Sequence, residues 1–210
     1  EHLNIVPTIA GSNRDEVKLW LGSAEYFVDL KFSPIGKLLG IPSVSLKDED
    51  AFEIFNHYRS SAWKLRGVDN PLRSMKKAGN EILFAYRYDW DDHRRFVVGD
   101  LKKLIGAAHA TEIPLLAGNN KLVGDYGFLM YPRGPSKRFT SKNMIKFWAN
   151  FAKEGAPGKS TNSIKWNTYN DPDKSNFIIL DNRANLKMSS DTISFKSLVR
   201  DLHKETDVTD

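Results

Sequence analysis

Apolar positions along the chain fall into short blocks separated by glycine, proline and charge, and their period changes from block to block. Residues 3–10 (LNIVPTIA) form a β-branched run that stops at Gly11, Ser12 and Asn13, which predicts a short buried strand and a turn. Pro7 has no N–H to give to a ladder, so the strand is expected to enter irregularly or to start at Thr8. After the turn, Asn13 or Asp15 is placed to cap a short helix to Leu21. That helix carries Val17, Trp20 and Leu21 on one side, and Gly22 ends it. Residues 24–30 fit neither period, and 33–45, with Pro34, Gly36, Gly40 and Pro42, read as loop.

A strong helical period runs over 48–65, where Phe52, Phe55, Tyr58, Ala62 and Leu65 recur at three- and four-residue spacing. Asp48, Glu49 and Asp50 favour its first turn, and Gly67 and Pro71 follow it. Residues 73–78 predict a short helix ending at Gly79. The aromatic, partly alternating run 81–90 (EILFAYRYDW) predicts a strand. Residues 91–103 are polar, 113–116 form a short apolar turn, and 117–135 are too rich in glycine and proline for regular structure. The clearest helix is 141–154, with Met144, Phe147, Trp148 and Phe151 in one stripe, Ser141 as cap, and Gly155 and Pro157 as stops. Residues 166–169 lead to a strand at 176–180 (NFIIL). A final amphipathic helix at 192–204 carries Ile193, Phe195, Leu198, Val199 and Leu202. There is no internal repeat and no low-complexity tract.

Composition narrows the class. The 210 residues suffice for one sizeable domain or a large part of a bigger one. With 40% hydrophobic residues, 5 Trp, 12 Phe and 7 Tyr, the chain can fill a packed core. The net charge of +5 arises from scattered pairs such as Lys76–Lys77 and Lys137–Arg138, not from one basic tract. No nucleic-acid partner is expected. The absence of cysteine excludes disulfides, thiolate nucleophiles and Cys-ligated zinc, and leaves the compartment open. No run approaches the roughly 18 apolar residues of a membrane span. The opening, with strand material almost at once and no initiating Met, is read as an interior start, so the lack of a targeting segment carries no information.

Of the five histidines, His2 and His203 lie near the ends and His57 falls within a helical period. His93 follows Asp89, Asp91 and Asp92, a donor set of the type metals accept. The adjoining Arg94 and Arg95 make a solvated, charge-balanced loop the simpler expectation, and no metal or other cofactor is expected. His109 differs, because the small residues of GAAHA leave its ring open to a cleft, and loops on a rigid scaffold are where catalytic groups concentrate. Glu16 stands in a similar place past the end of the first strand, although by itself it would read as a solvated acid in a helix's first turn. A carboxylate beside a histidine fixes the ring tautomer and stabilises the imidazolium formed when the other nitrogen takes a nucleophile's proton. Where such groups come in the chain order nucleophile, acid, histidine, the nucleophile would precede Glu16. The chain holds no G-x-S-x-G, so a serine is expected upstream of Glu1.

Five segments in order resemble the C-terminal part of a type-B carboxylesterase, the cholinesterase-like branch of the α/β-hydrolases: VPTIAGSNRDE, FAYRYDW, GAAHATEIPLLAG, MIKFWANFAKEGAP and KWNTY. The resemblance implies an α/β chain forming the C-terminal portion of an α/β-hydrolase fold, with the later strands of the central sheet and flanking helices. Residues 1–210 would be the C-terminal segment of a single domain whose N-terminal part, with the nucleophile elbow, is absent. It gives Glu16 the role of triad acid, His109 that of general base and acid, and Glu112 that of a buried supporting group outside the triad. The implied function is carboxylic ester hydrolysis by serine acyl transfer on a small-molecule ester, with the missing N-terminal portion as partner and the isolated chain inactive. A secreted or periplasmic setting is favoured by the same resemblance. The alternative is a non-catalytic adhesion protein of the same family. Two residues depart from the family pattern, which has glycine after the acid and after the histidine: Val17 and Ala110. Ala110 is a small change. Val17 is the larger one if that glycine uses positive φ, which β-branched residues avoid.

Overall fold

The central sheet of the computed structural model, which describes residues 5–32, 34–39, 42–96, 99–124, 127–171 and 173–205, has four strands. In chain order the elements are β1 (Thr8–Asn13), α1 (Lys18–Leu21), β2 (Val28–Lys31), α2 (Pro34–Leu39), β3 (Ser43–Leu46), α3 (Glu49–Lys64), α4 (Asn70–Lys77), β4 (Leu83–Tyr88), β5 (Arg95–Phe96) and β6 (Gly99–Asp100). They are followed by α5 (Leu101–Leu104), α6 (Ile113–Leu116), α7 (Gly127–Met130), α8 (Pro135–Glu154), β7 (Ser175–Leu180), β8 (Lys187–Asp191) and α9 (Phe195–Leu202). The sheet order is β1-β4-β7-β8, with β1, β4 and β7 parallel and β8 antiparallel at one side.

Strand alternation assigns the core to two faces. Phe84, Tyr88, Ile178 and Leu180 join one cluster with Met144 and Phe147 of α8 and with Trp166. The intervening residues Leu83, Ala85, Phe177 and Ile179 join another with Val68 and Leu72. A sheet covered on both faces needs strands that are apolar throughout, which is why β4 and β7 alternate only weakly. Helices on both faces of a mainly parallel sheet make this an α/β fold, as the resemblance implied.

Several boundaries differ from the sequence reading. β1 starts at Thr8, after Pro7, but runs on through Gly11, Ser12 and Asn13, which were expected to turn. Its register with β4 holds from Thr8 opposite Leu83 to Asn13 opposite Tyr88. Gly11 permits this, because a Cβ there would stand 2.2 Å from the Tyr86 ring. The turn comes afterwards and α1 is short; its N-cap is Val17, without a side-chain bond, since Asn13 and Asp15 are engaged elsewhere. α2 and β3 occupy residues expected to be loop, and β3 gains its order by pairing with β2. Residues 33, 40 and 41 of that stretch, and His2, lie outside the described residues.

α3 forms as read, with the Asp48 carboxylate accepting from Ala51 N at 2.9 Å. Gly67 and Pro71 do not stop the helical path. The chain passes through a wide π-helical turn, Leu65–Asp69, into α4. Pro71, which has no N–H to give, follows this wide turn directly at the start of α4, where Asn70 N bonds Leu65 O. Buried Lys64 closes the turn on Asp69 at 2.7 Å and reaches Asp191 at 3.1 Å. α8 begins at Pro135, so Ser141 is not a cap; its hydroxyl donates to Leu115 O at 2.6 Å from within the helix. Gly155, at φ +70°, ends α8. α9 is capped by Ser194, yet of its apolar residues only Leu198 is buried, and Phe195, Val199 and Leu202 stay exposed.

Candidate active site

Two loops meet beyond the carboxyl ends of the parallel strands, the location where open α/β sheets build their sites. One continues β1 as Arg14–Asp15–Glu16, and the other is the Gly106–Thr111 stretch after α5. Backbone bonds join them: Asp15 N donates to Ala107 O at 3.0 Å, and His109 N to Glu16 O at 3.3 Å. The Asp15 carboxylate accepts from Ala107 N at 2.9 Å and from Asn56 Nδ2 at 2.7 Å. Gly106 must be glycine here, because its φ is +53° and a Cβ would stand 2.4 Å from Asp15 Oδ2. Asp15 is therefore a loop clamp, and Glu16 is left to face the imidazole.

Glu16 Oε2 lies 2.8 Å from His109 Nδ1, and Glu16 Oε1 accepts from Asn13 N at 2.8 Å. The carboxylate side chain is 5% exposed and the imidazole 44%. Burial pushes the Glu16 pKa upward, against the Asn13 N–H and His109, which pull it down; the charge of Glu112 adds to the rise. Asp15 moves the other way. Its own burial is outweighed by the charges of Arg14 and Lys18 and by hydrogen bonds from Arg14 and Ala107, which hold its pKa below the ordinary value.

Glu112 does not touch the imidazole. It is half-buried, where full burial was expected, and Oε2 accepts from Asn13 Nδ2 at 2.5 Å. The His93 segment also differs from the solvated loop expected, because Asp89 and His93 are buried. The His93 ring nitrogens face Met130 O at 2.5 Å and Gly106 O at 2.7 Å, while Asp91 binds Arg14 and Lys102. The cluster braces the loop that carries His109. His57 and His203 are exposed and away from these contacts.

Three participants were not legible as such. In the sequence, Asn13 is one of two alternative helix caps, with Asp15. Trp63 lies off the apolar stripe of α3, and Trp20 had been assigned to a helix's apolar side. Both indoles are exposed and stand 5.3 Å, centroid to centroid, from the His109 ring. A tryptophan on the outward side of an amphipathic helix was the available signal for Trp63.

The two departures exchange significance. Val17 has φ −94°, ordinary right-handed backbone, so its branching costs nothing there. Ala110 has φ +63°, the region that favours glycine, and is the strained position. The expectation that Val17 was the larger change is corrected by these angles.

The sequence profile of the carboxylesterase family matches residues 54–196, which include His109 and Glu112. The chain belongs to the carboxylesterase family. Its fold is similar to that of a solved PNB esterase, with a TM-score of 0.51 and 19% identity over 93% of this chain and 38% of that one. It is likewise similar to carboxylesterase Est55 of Geobacillus stearothermophilus, with a TM-score of 0.56 and 15% identity over 92% of this chain and 40% of that one. These likenesses show the α/β-hydrolase fold, and this carboxylesterase-family chain spans about two fifths of the length of those solved esterases. No curated protein matches it in sequence.

Proposed function

We propose that Glu16 and His109 are the acid and the general base of a Ser–Glu–His triad in a carboxylic ester hydrolase, the serine coming from sequence N-terminal to this chain. The observation that carries the reading is the 2.8 Å contact between Glu16 Oε2 and His109 Nδ1, made by a buried carboxylate and a half-exposed ring in a carboxylesterase-family chain. Glu16 holds the proton on Nδ1, so Nε2 has the free lone pair. Nε2 takes the serine proton as the oxygen attacks the ester carbonyl, and then delivers it to the departing alkoxide. A water repeats the cycle on the acyl-enzyme and releases the acid. Glu112 supports the loop and stays outside the proton path.

On this reading the 210 residues are the C-terminal segment of one α/β-hydrolase domain acting on a small-molecule carboxylic ester. Two features favour it: β1 has one edge without a partner among the described residues, and α9 turns most of its apolar residues outward. An unpaired strand edge and an uncovered apolar stripe are surfaces that further chain would cover. The test is turnover of short-chain aryl esters by the full-length protein, with inactivation by an organophosphate. A folded full-length protein that shows neither sinks the proposal, as does turnover by the isolated 210 residues that is lost in His109→Ala, which would reveal a nucleophile within them.

A further inference from the structure

We infer that Asn13 is the positioning residue of this site, whose main-chain and side-chain N–H groups space the Glu16 and Glu112 carboxylates and tie both to the backbone of the loop carrying His109. The inference rests on the esterase reading above for its kinetic consequences, but its geometry stands independently. Asn13 is the last residue of β1 and only 3% exposed. Its backbone N–H donates to Glu16 Oε1 at 2.8 Å. Its side-chain nitrogen donates to Ala108 O at 2.7 Å and Glu112 Oε2 at 2.5 Å. A carbonyl and a carboxylate are both acceptors, so the amide orientation is forced and its two N–H groups are both used.

The arrangement has a chemical consequence. Glu16 and Glu112 are like charges close enough to feel each other, and the charge of Glu112 raises the Glu16 pKa. Asn13 meets one with its main chain and the other with its side chain, so a neutral donor occupies the ground between them. The same side chain holds Ala108, the residue before His109, and Thr111 Oγ1 donates to that carbonyl as well, at 2.6 Å. Removing the Asn13 side-chain amide would therefore free Ala108 O and Glu112 and shift the placement of His109 against a Glu16 that the main-chain N–H still holds. Misplacing a catalytic group by an ångström can cost on the order of a hundredfold in rate.

Asn13→Ala, Asn13→Asp and Glu112→Gln, made in the full-length protein, test this. Each is read by kcat and KM against pH and by a carbon-13 NMR titration of the Glu16 carboxyl, which needs no turnover. Asn13→Ala should lower kcat by roughly ten- to a hundredfold with KM little changed. Asn13→Asp replaces two donors by a third negative charge and should move the Glu16 titration, and the acid limb of activity, to higher pH. Glu112→Gln removes a charge and keeps an acceptor for Asn13, so both should move to lower pH. If Asn13→Asp does not fold, Asn13→Ala decides. An Asn13→Ala variant whose kcat is unchanged, or whose defect is confined to KM, overturns the inference. If the titrations move as stated but the wild type hydrolyses no ester, the esterase reading fails and the positioning role of Asn13 remains.

Discussion

Replacing Ala110 by glycine should make the protein more stable, which is the reverse of the usual effect of glycine. Ala110 is held at φ +63° immediately after His109. For a residue with a Cβ, left-handed backbone costs about 1–2 kcal/mol, from the approach of Cβ to the following carbonyl. Glycine removes that cost but adds freedom to the unfolded chain, which lowers stability by about 0.4–1 kcal/mol. The midpoints differ by about 0.8 kcal/mol in favour of glycine. For a domain of 150–250 residues this corresponds to a rise in Tm of about 2–3 °C. Thermal unfolding followed by circular dichroism reads it directly. Gly106→Ala in the same loop is the opposing control: that position also has positive φ, at +53°, and its new Cβ would meet Asp15 Oδ2 at 2.4 Å. Its Tm should fall. An unchanged or lowered Tm for Ala110→Gly would refute the assignment of strain to this residue, and with it the argument that φ and not side-chain size decides which departure from the family pattern matters.

The remaining predictions concern the two acids. Glu16→Gln should lower kcat by about 10⁴-fold with little change in KM, because the amide no longer fixes the proton on Nδ1; a loss below tenfold in steady-state kinetics would remove Glu16 from the triad. The folded-state pKa of Glu16 lies above its ordinary 4.5, so keeping this charge buried costs stability that sets in as pH rises through that value. Relative to wild type, Glu16→Gln should therefore gain stability from acid to neutral pH in urea titrations, and a difference that does not vary with pH would contradict the raised pKa. Asp15 has the opposite sign. Its folded pKa is depressed, so its contribution is present above the ordinary aspartate value of 3.8 and is lost as pH falls through the lower folded value. Asp15→Asn should cost about 1.5–3 kcal/mol at neutral pH, the range for hydrogen bonds to a charged group, and the deficit should vanish in acid.

The parts of the fold that were legible are those whose apolar residues recur with a period. α3 could be read because its apolar residues recur at helical spacing, although only Phe52 and Leu65 of that stripe are buried and the helix's other buried positions are the polar Asn56, Ser60 and Lys64. β4 and β7 could be read because sheets covered on both faces need apolar strands. β3 and β8 escaped because their residues, SVSL and KMSSD, carry almost no apolar signal and owe their order to pairing with β2 and β7. Pro71 misled for a related reason. Proline removes one N–H from a helix, and here it follows the wide Leu65–Asp69 turn, which the sequence does not mark. Ser141 was a plausible cap in isolation, but Pro135 starts the helix earlier and the serine serves the neighbouring α6.

For the candidate site, the limit was of another kind. The positions of Glu16 and His109 past strand ends, and their order, can be read along the chain, because both depend on local turns. The partners of Asn13 cannot, since its side chain meets residues 95 and 99 positions away. Its local signature, a polar residue after a strand and before a helix, fits a helix cap equally well. The same holds for Val17 and Ala110, where sequence offers only side-chain size. Branching made Val17 look like the costly change and smallness made Ala110 look harmless, yet the cost of a Cβ depends on the sign of φ. That sign is set by the meeting of two loops: Asp15 takes hold of Ala107, Asn13 of Ala108, and the chain must then turn sharply after His109 into α6. The backbone strain at Ala110 and the placement of the imidazole thus have one origin, so a substitution that loosens Asn13 or Asp15 is expected to relax both together.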